Sequence, residues 1–240
     1  MANIREFIEN DRLVIEVVAD STSDAGALPP LDRVIEVVVQ GPRGLSGVGG
    51  TAISPLDYGA VADGITDDAT ALQAAIDALP ATGGDVALPA GVMAIGATIV
   101  VNKSNVRLIG LGGDNRHNTA PFVLNAGTRL KWTGAAGGTM IRFTSTSGAA
   151  NPKMTGGGLK GMVIDAAATA GCCLEVLSWN AAHFEDLLLY DATIACLDMN
   201  VVADLADPRD PQENVFDRVF IAALSGSADG IRMGAATPGA

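Results

Sequence analysis

The stretch that decides the fold runs from residue 56 to residue 110. It opens with Leu56-Asp57-Tyr58-Gly59-Ala60-Val61-Ala62-Asp63-Gly64-Ile65-Thr66-Asp67-Asp68. It continues with Gly83-Gly84-Asp85-Val86-Ala87-Leu88-Pro89-Ala90-Gly91 and closes on Asn105-Val106-Arg107-Leu108-Ile109-Gly110. A short helical segment lies between the first two of these pieces.

This helical segment is predicted to span about residues 67–79. Thr66 is its predicted N-cap, and Pro80 is expected to end it. Asp67 and Asp68 lie in the first turn, where a helix favours negative charge. The apolar residues of the segment share one face: Leu72, Ala75, Ile76 and Leu79. A single short amphipathic helix, packed against an apolar surface, is therefore expected here.

The order of these pieces resembles the N-terminal part of the pectate-lyase-superfamily β-helix proteins, which include bacteriophage tailspikes and many extracellular polysaccharide-degrading enzymes. In that family, a segment like residues 57–68 leads into a helix that caps the open end of a right-handed parallel β-helix. A Leu-Pro-Ala-Gly segment, here residues 88–91, then starts the first coil. The resemblance implies an all-β fold with an N-terminal capping helix. It says less about activity, because one fold hosts many functions.

The rest of the chain repeats short strands, as a solenoid should. One series alternates apolar, charged and apolar residues: Ile141-Arg142-Phe143, Leu174-Glu175-Val176, Leu197-Asp198-Met199 and Ile231-Arg232-Met233. A second series falls between them, at residues 159–164, 184–189 and 216–221. Apolar members should point into the coil and charged members outward, with matched residues ~4.8 Å apart on consecutive coils. We therefore predict a parallel β-helix over residues 54–240.

Composition and charge agree with this fold and exclude some partners. Nearly half of the 240 residues are hydrophobic, yet only 4% are aromatic and 29 are glycine. Small and branched side chains with frequent turns suit stacked β coils better than a helical bundle. The formal charge of −12 argues against a nucleic acid partner, because phosphate binding requires clustered Lys and Arg.

The sequence also indicates in which cellular compartment the protein is made. Residues 1–6 carry two charges with no apolar run behind them, so no secretory signal is predicted, and no segment is long enough to cross a bilayer. The three cysteines, Cys172, Cys173 and Cys196, are expected to be buried reduced thiols rather than disulfides or metal ligands. These features predict synthesis in the cytoplasm without a signal peptide, followed by retention there or release inside a virion.

Residues 1–40 are predicted to form a separate attachment segment. Residues 11–18 and 32–39 nearly repeat each other, and both have the β-branched pattern of strands. Two strands alone are marginal in water, so other chains should complete their sheet. An independent small subdomain is the alternative. The candidate attachment residues are Leu13, Val14, Ile15, Val34, Ile35 and Val37.

A glycine-rich neck is predicted at residues 41–53. Glycine recurs at every third position, at Gly41, Gly44, Gly47 and Gly50, which is the spacing that a collagen-like triple helix requires at its axis. A flexible linker is the alternative. The position between a presumed attachment segment and a β-helix favours a junction of three chains.

Loop lengths predict a groove on one corner of the coils. The loops that join the two strand series are long, then short, then long on successive coils. The two long loops are therefore expected to flank a groove, with the short loop at its floor. That floor carries three candidate glycan-binding residues: Trp179, Asn180 and His183. In one interpretation Trp179 stacks on a sugar ring. In the alternative, which the usual burial of tryptophan favours, it packs beneath the long loops or at a contact between chains.

Glu175 and Asp198 are the candidates for a catalytic carboxylate pair. They occupy matched outward positions on neighbouring coils, close to the roughly 5–9.5 Å separations of glycoside hydrolases. Arg142 and Arg232 continue the same column on either side. An adjacent arginine lowers a carboxyl pKa, whereas a general acid needs a raised one. A charge ladder is therefore favoured, and activity as a polysaccharide hydrolase or lyase is left open.

The function that unites these features is that of a structural virion protein, a phage-type tail fibre or tailspike. It is expected to be a homotrimer in the virion tail that binds tail or baseplate proteins through residues 1–50. Its β-helix would then recognise a host-surface glycan. The alternative is a polysaccharide depolymerase acting on host capsule or lipopolysaccharide. No cofactor, metal, nucleic acid or membrane insertion is predicted.

The last predicted strand, at residues 231–233, has two possible surroundings. Residues 231–233 look like an ordinary member of the coil series, yet an uncapped solenoid exposes apolar surface and strand edges. Either another chain covers that end, or the sequence is the front part of a longer product.

Overall fold

A computed structural model describes residues 3–9, 12–18, 52–112, 127–144, 154–177, 179–201, 213–222 and 228–235. The chain divides into two compact units, Met1–Gly44 and Leu45–Ala240. The division falls inside the segment predicted as a neck.

The N-terminal unit contains an antiparallel hairpin of β1 (Asn3–Glu9) and β2 (Arg12–Val18). Strand β2 coincides with the first predicted strand, and it carries three of the candidate attachment residues: Leu13, Val14 and Ile15. Its partner β1 was not identified as a strand from the sequence. The second predicted strand lies outside the described residues, together with the other three candidates: Val34, Ile35 and Val37.

The second unit begins with a 3-10 helix at Pro55–Tyr58, strand β3 (Asp63–Asp67) and helix α1 (Ala69–Ala78). Asp68, between β3 and α1, has no exposed surface. Its carboxylate accepts hydrogen bonds from the backbone N–H groups of Val61 at 2.7 Å and Ala62 at 3.1 Å. A buried carboxylate needs such donors, so this aspartate fixes the chain where it turns into the helix.

The prediction of Thr66 as the N-cap is wrong. Helix α1 starts later, at Ala69, with Asp68 at the N-cap position but without a capping side-chain bond. Asp67 supplies that bond instead, because its Oδ1 accepts from the N–H of Ala69 at 3.0 Å. Thr66 lies in β3, where its N–H and hydroxyl both donate to the carboxylate of Asp63. The carboxylate of Asp63 therefore holds a local turn at residues 63–66, and the helix begins only after Asp67.

The same Asp67 oxygen also accepts from the N–H of Gly96 at 2.9 Å, which ties the start of the helix to the first coil. A Cβ atom at Gly96 would lie 2.4 Å from Asp67 Oδ2, so only glycine fits at this position. The opening motif therefore requires a glycine at position 96, because any larger residue would clash with the carboxylate of Asp67.

Helix α1 covers the first coil with the face predicted from the sequence. Its apolar residues Leu72, Ala75 and Ile76 have no exposure, and Leu79 is buried just beyond its last turn. Leu79 is extended, as the residue before Pro80 should be, and this ends the helix. Lys103 lies against that end and donates to the carbonyls of Asp77 at 2.6 Å and Leu79 at 2.8 Å. The helix is thus capped by Asp67 of β3 at its start and by Lys103 of the first coil at its end.

The remaining strands follow in chain order. They are β4 (Gly84–Ala87), β5 (Gly91–Ile95), β6 (Ile99–Val101), β7 (Val106–Ile109), β8 (Thr128–Trp132), β9 (Thr139–Phe143), β10 (Met154–Thr155), β11 (Gly158–Asp165), β12 (Cys172–Val176), β13 (Trp179–Asn180), β14 (His183–Tyr190), β15 (Ala195–Val201), β16 (Val215–Ala222) and β17 (Asp229–Ala235). All pairs among them are parallel. Five successive coils can be followed in the described residues.

Each coil contributes to three faces. The first face contains β4, β7 and the first halves of β11, β14 and β16. The second face contains β5, β8 and the second halves of the same three strands. The third face contains β6, β9, β12, β15 and β17. The described residues form a right-handed parallel β-helix, as the sequence predicted.

The predicted register is confirmed on the third face. Ile141, Leu174, Leu197 and Ile231 lie opposite one another on consecutive strands. Val86, Leu108, Leu159, Phe184 and Phe216 form the corresponding column on the first face. Most members of both columns are fully buried, so each coil covers the apolar side of its neighbours.

A stacked bend separates the first face from the second. Gly161 in β11, Asp186 in β14 and Arg218 in β16 all have left-handed backbones, with φ of 66°, 52° and 51°. The ladder skips these three residues, since the flanking residues pair and they do not. Left-handed φ is unusual for Asp and rarer for Arg, so the repetition on three coils identifies a corner of the solenoid.

Candidate functional site

The candidate catalytic residues Glu175 and Asp198 lie side by side on the third face. Strand pairing places Glu175 opposite Arg142 on one side and opposite Asp198 on the other. Asp198 in turn lies opposite Arg232. Arg142 donates to Glu175 through Nε, and Arg232 donates to Asp198 through a terminal guanidinium nitrogen. The structure therefore brings together the four residues of the predicted ladder as two ion pairs.

The two pairs differ in their exposure to water. The Asp198 carboxylate is almost completely buried, whereas the Glu175 side chain keeps some exposure. Asp198 Oδ1 and Arg232 Nε are buried without a hydrogen-bond partner within the part of the chain that the structure describes. The bond to Asp198 raises the pKa of the Arg232 guanidinium. Burial raises the pKa of the neighbouring Cys172 thiol, and the carboxylates of Asp198 and Glu175 raise it further.

This arrangement is suited to stacking coils rather than to acid catalysis. A glycoside hydrolase needs one carboxylic acid that holds a proton beside one carboxylate that does not. Here each carboxylate already accepts from its own arginine. A guanidinium partner favours the ionised form of an acid. The geometry agrees with the ladder interpretation, and a catalytic role for Glu175 and Asp198 stays a hypothesis.

Trp179 lies inside the coil, not on the floor of a groove. Its side chain is fully buried, and its Nε1 donates to the carbonyl of Gly156 at 2.8 Å. Its ring meets Phe143 edge to face, with centroids 5.1 Å apart. This corrects the prediction of Trp179 as a sugar-stacking residue, because a sugar cannot reach a buried ring. A tryptophan that packs in the core, the favoured alternative, describes its position.

The aromatic side chains continue as a column through the corner. Phe143 also contacts Phe184 edge to face at 5.4 Å, and Phe184 stacks on Phe216 at 4.9 Å. Asn214 fastens the chain beside Trp179, since its side chain donates to the Trp179 carbonyl at 2.9 Å and accepts from the N–H of Ala182 at 2.9 Å. The corner is therefore built from packing and backbone hydrogen bonds across coils.

The other two candidates for glycan binding remain at the surface. His183 is exposed at the start of β14, and Asn180 is partly exposed in β13. They lie three residues apart at the same corner as Trp179, and the backbone carbonyl of Asn180 accepts from Gly156 at 2.9 Å. Their part in glycan recognition stays a prediction.

Sequence reasoning missed a second ionic network, at the bend between the first and second faces. Arg218 donates to Glu185 at 2.6 Å, to Asp186 at 2.5 Å and to Asp217 at 2.6 Å. Lys160 approaches Glu185 to 2.9 Å from the neighbouring coil. The register Lys160–Glu185–Asp217 was the available signal, since these residues hold equivalent positions in the predicted second series.

The charged groups in this network shift one another's pKa values. The bond from Lys160, together with Arg218, lowers the pKa of Glu185. The bond from Arg218 lowers the pKa of Asp186, and the pKa of Arg218 is raised in return. All members are at least partly exposed, so solvent screens these interactions. The bend thus carries a mixed-charge surface of acids already paired with bases.

A more buried ion pair lies on the second face. Arg129 of β8 donates to Asp165 of β11, whose other oxygen accepts from the N–H of Ala167 at 2.8 Å. Tyr190 of the next coil lies opposite Asp165. Burial, with the neighbouring carboxylates of Asp191 and Asp165, raises the pKa of the Tyr190 phenol. The carboxylate of Asp165 therefore has an arginine and a backbone N–H as hydrogen-bond donors.

The cysteines match their prediction. Cys172, Cys173 and Cys196 are buried free thiols, and burial raises the pKa of Cys173. Among the described residues, no group of three or more His, Cys, Asp or Glu side chains is placed to hold a metal ion. Within the same residues, no helix has the length and apolar character to cross a membrane.

Comparisons with known proteins find a family model that matches part of this chain. The family model described as rhamnogalacturonase A/epimerase, pectate lyase-like, matches residues 52–166. That range contains the opening motif, helix α1 and the first two coils. Among curated proteins, none matches the sequence significantly.

Three solved structures are similar to the chain. ORF18 of Geobacillus virus E2 is 26% identical with a TM-score of 0.53, over 62% of this chain and 28% of that one. The N-terminal fragment of gene product 12 of bacteriophage Phi29 is 19% identical with a TM-score of 0.47, over 62% and 23%. The A-module of mannuronan C-5 epimerase AlgE4 of Azotobacter vinelandii is 19% identical with a TM-score of 0.49, over 75% and 53%.

The chain spans only about a quarter of the length of the two viral proteins, at 28% and 23%. The opening motif, the stacked coils and the family match agree with one another. Residues 52–166 of the chain therefore contain a pectate-lyase-like domain, which is built here as a right-handed parallel β-helix.

Proposed function

We propose that this chain is a structural virion protein, a tail fibre or tailspike of a phage, that presents its β-helix to a glycan on the host surface. The observation that carries the proposal is the similarity of the β-helix to a protein of Geobacillus virus E2, at 26% identity over 62% of the chain. The fold alone is shared by enzymes and adhesins, so it does not separate the functions.

The N-terminal region supports attachment to a tail. Its hairpin of β1 and β2 is a two-stranded sheet, which is marginal in water without further strands or a covering surface. A tail or baseplate protein that completes this sheet would use the attachment residues proposed from the sequence: Leu13, Val14, Ile15, Val34, Ile35 and Val37. Attachment would place the chain in the virion, and the glycine triplets of residues 41–50 favour three copies.

The charged residues support binding or scaffolding more than hydrolysis. In the ladder and in the network at the bend, every described carboxylate named above has a guanidinium or ammonium partner. Such pairs hold neighbouring coils together and leave polar side chains at the rim of the solenoid. His183 and Asn180 are the residues that we propose for glycan contact at the exposed corner.

A polysaccharide depolymerase is the second candidate function. Two observations favour it: the matching family model is described by a rhamnogalacturonase and an epimerase, and Glu175 and Asp198 lie adjacent on consecutive strands. In this case Glu175→Gln would abolish the activity because the residue would act in the reaction. Glu185→Gln, which changes an acid in the exposed network, serves as the matched control.

Virion incorporation tests the main proposal. Cells that produce the virus would carry either the original gene or Ile15→Asp, and purified virions would be analysed by quantitative mass spectrometry. The proposal predicts the chain in virions and a loss of most copies with Ile15→Asp, while Ile194→Asp, remote in sequence from the attachment segment, keeps them. A chain that is absent from purified virions would contradict the proposal.

A second assay separates the two functions. The purified chain would be incubated with host capsule or lipopolysaccharide, and new reducing ends and the absorbance of unsaturated uronates would be followed. The main proposal predicts retention of the chain on the glycan without either product. Product formation that Glu175→Gln removes and Glu185→Gln preserves would establish the depolymerase instead.

A further inference from the structure

We propose that Cys173 and Cys196 are a redox-active pair, whose two thiols close into a disulfide between the third and fourth coils when the folded chain meets a peroxide. The structure holds both as free thiols, which is the reduced form of the pair. This inference goes beyond the proposed function and does not depend on it. A move from a reducing cytoplasm to an oxidising medium is the condition under which such a pair closes.

Strand pairing places the two cysteines at equivalent positions of consecutive coils. The residues before and after Cys173 in β12 lie opposite the residues before and after Cys196 in β15. Neighbouring strands are about 4.8 Å apart. A disulfide joins residues whose Cα atoms are about 4.4–6.8 Å apart. The spacing of the two coils therefore suits a disulfide at this position.

Both sulfur atoms point into the interior of the solenoid. Cys173 and Cys196 have no exposed surface, and both side chains pack in the main apolar core. Cys172 lies outside that core, where burial and the nearby carboxylates of Asp198 and Glu175 raise the pKa of its thiol. Because side chains alternate along a strand, Cys172 takes the outer side and Cys173 the inner side. The third thiol is thus turned away from the pair.

The two inward thiols contact each other. They share a hydrogen bond, which lowers the pKa of Cys196 to about 7 although burial acts in the opposite direction. Burial, together with the neighbouring thiol, raises the pKa of Cys173 well above its ordinary value. The thiolate, not the thiol, attacks an oxidant. Cys196 is therefore the nucleophile of the pair, and Cys173 is the thiol that completes the disulfide.

The reaction balances with one molecule of hydrogen peroxide. The Cys196 thiolate attacks one peroxide oxygen, the O–O bond breaks, and a sulfenic acid and a hydroxide ion form. The Cys173 sulfur then attacks the sulfenic sulfur, the S–O bond breaks, and the disulfide forms. The peroxide and the two thiol protons end as two molecules of water. The two sulfur atoms lose the two electrons that the peroxide gains.

The fifth coil offers a route for a small oxidant. Gly230 of β17 lies next to Cys196, since the residues on either side of Gly230 pair with the residues on either side of Cys196. Gly230 has no side chain to cover the thiol, and Ile231 beside it is 53% exposed. Because Cys196 itself has no exposed surface, access requires the fifth coil to open locally. Oxidation of the folded chain should therefore be slow.

Closure would lock one complete turn of the solenoid. The loop from Cys173 to Cys196 contains the rest of β12, all of β13 and β14, and the start of β15. A disulfide that closes a loop of this length restricts the unfolded chain, so the folded chain gains stability. We expect the midpoint of thermal unfolding to rise by about 5–10 °C on oxidation.

Oxidation of the full chain by hydrogen peroxide tests the inference. The treated chain would be denatured, its free thiols labelled with a maleimide, and its intact mass measured. We expect one labelled thiol instead of three, and a mass before labelling that is lower by two hydrogen atoms. Peptide mapping would locate the bond. Circular dichroism would follow thermal unfolding before and after reduction with dithiothreitol.

Cys172→Ser is the matched control, because it removes the third thiol and leaves the pair intact. It should form the same disulfide and show the same rise of the unfolding midpoint as the original chain. Cys196→Ser should form no disulfide between the two coils. Oxidation of the original chain in concentrated urea, where the register is lost, should give a mixture of bonds that includes Cys172.

Three labelled thiols after oxidation would overturn the inference, and so would a sulfinic acid at Cys196 without a disulfide. A bond to Cys172 in the folded chain would also overturn it, because the register would then not select the pair. Cys172→Ser keeps the test decisive even if Cys196→Ser fails to fold, since only the pair remains in it. None of these results alters the presence of the chain in virions, so the inference and the proposed function fail separately.

Discussion

The first and fifth coils of the β-helix are built from the same kind of strand but differ in burial. At the first coil, helix α1 lies over the apolar interior, and Leu72 and Ile76 have no exposure. On the fifth coil, Ile231 is 53% exposed although it continues the column of Leu174, which has no exposure. Pairing with a neighbouring strand therefore does not by itself bury an apolar residue. Burial also requires a further coil or a helix that covers the apolar interior of the coil, as expected for a solenoid.

The first end also shows how such a layer is fixed. Three aspartates with different surroundings act together: Asp63 holds the turn, Asp67 caps the helix, and Asp68 is buried beneath it. No comparable cover lies over Ile231 in the described part of the fifth coil. Stability should thus decrease along the solenoid from the covered end toward the fifth coil, and substitutions can test this gradient.

The largest effect is expected at the covered end. Leu72→Ala would leave a cavity between α1 and the first coil, and we expect a loss of about 2–5 kcal/mol in the free energy of unfolding. Leu174→Ala, in the middle of the solenoid, should cost a similar amount. Urea unfolding followed by circular dichroism measures both. A loss below about 1 kcal/mol for Leu72→Ala would mean that α1 does not seal the first coil.

A smaller loss is expected when the buried aspartate of the opening motif is removed. Asp68→Ala leaves the N–H groups of Val61 and Ala62 without their acceptor, which should cost about 1.5–3 kcal/mol. Asp63→Ala removes an exposed carboxylate from the same motif and serves as the control with a lesser effect. Equal costs for the two variants would contradict the role assigned to burial.

At the fifth coil the same type of substitution should matter little. Ile231→Ala removes a side chain that is already half exposed, so we expect a loss of less than about 1 kcal/mol. The comparison with Leu174→Ala isolates burial, because the two residues occupy one column. If Ile231→Ala were as costly as Leu174→Ala, the apolar interior of the fifth coil would be covered in solution, and the gradient along the solenoid would be refuted.

The smallest effect concerns the exposed network at the bend. The folded-state pKa values of Glu185 and Asp186 are lowered by Lys160 and Arg218. Their stabilisation is therefore complete above the unfolded pKa and is lost as the pH falls through the folded one, from about pH 5 downward. Unfolding midpoints from pH 7 to pH 3 should fall slightly less for Arg218→Gln than for the original chain.

High salt offers an independent measure of the same network. Because its members are exposed, 1 M salt should remove most of the difference between the original chain and Arg218→Gln. The more buried pair of Arg129 and Asp165 should be less sensitive to salt. A pH dependence that salt leaves unchanged would show that groups other than the exposed network cause it.

Much of the fold could be predicted because its signals are local. The alternation of apolar and charged residues determines which side chains point inward, and it placed Ile141, Leu174, Leu197 and Ile231 in the correct column. The apolar face of α1 was predictable for the same reason. The capping residue was not, because Asp63, Asp67 and Asp68 are all suitable acceptors and only their folded positions decide which one receives the N–H of Ala69.

The surface of the β-helix was harder to predict than the column of buried apolar residues inside it. Loop lengths predicted that Trp179 lies on the floor of a groove. Its ring instead packs inside the coil, where it contacts Phe143 and donates a hydrogen bond to the carbonyl of Gly156. The sequence cannot reveal such a reversal, since it depends on space left by residues of another coil. The register of Lys160, Glu185 and Asp217 signalled part of the ionic network at the bend, but the left-handed backbone of Arg218 in the middle of a strand has no local signal.

Electron cryo-microscopy of the virion that contains this chain would test the account most directly. We predict a threefold appendage on the tail in which three parallel β-helices begin together at a narrow neck, with the hairpin unit against the tail and the fifth coil farther out. A map in which the chain is a single copy, lies elsewhere than on the tail, or is missing from the particle would contradict the account.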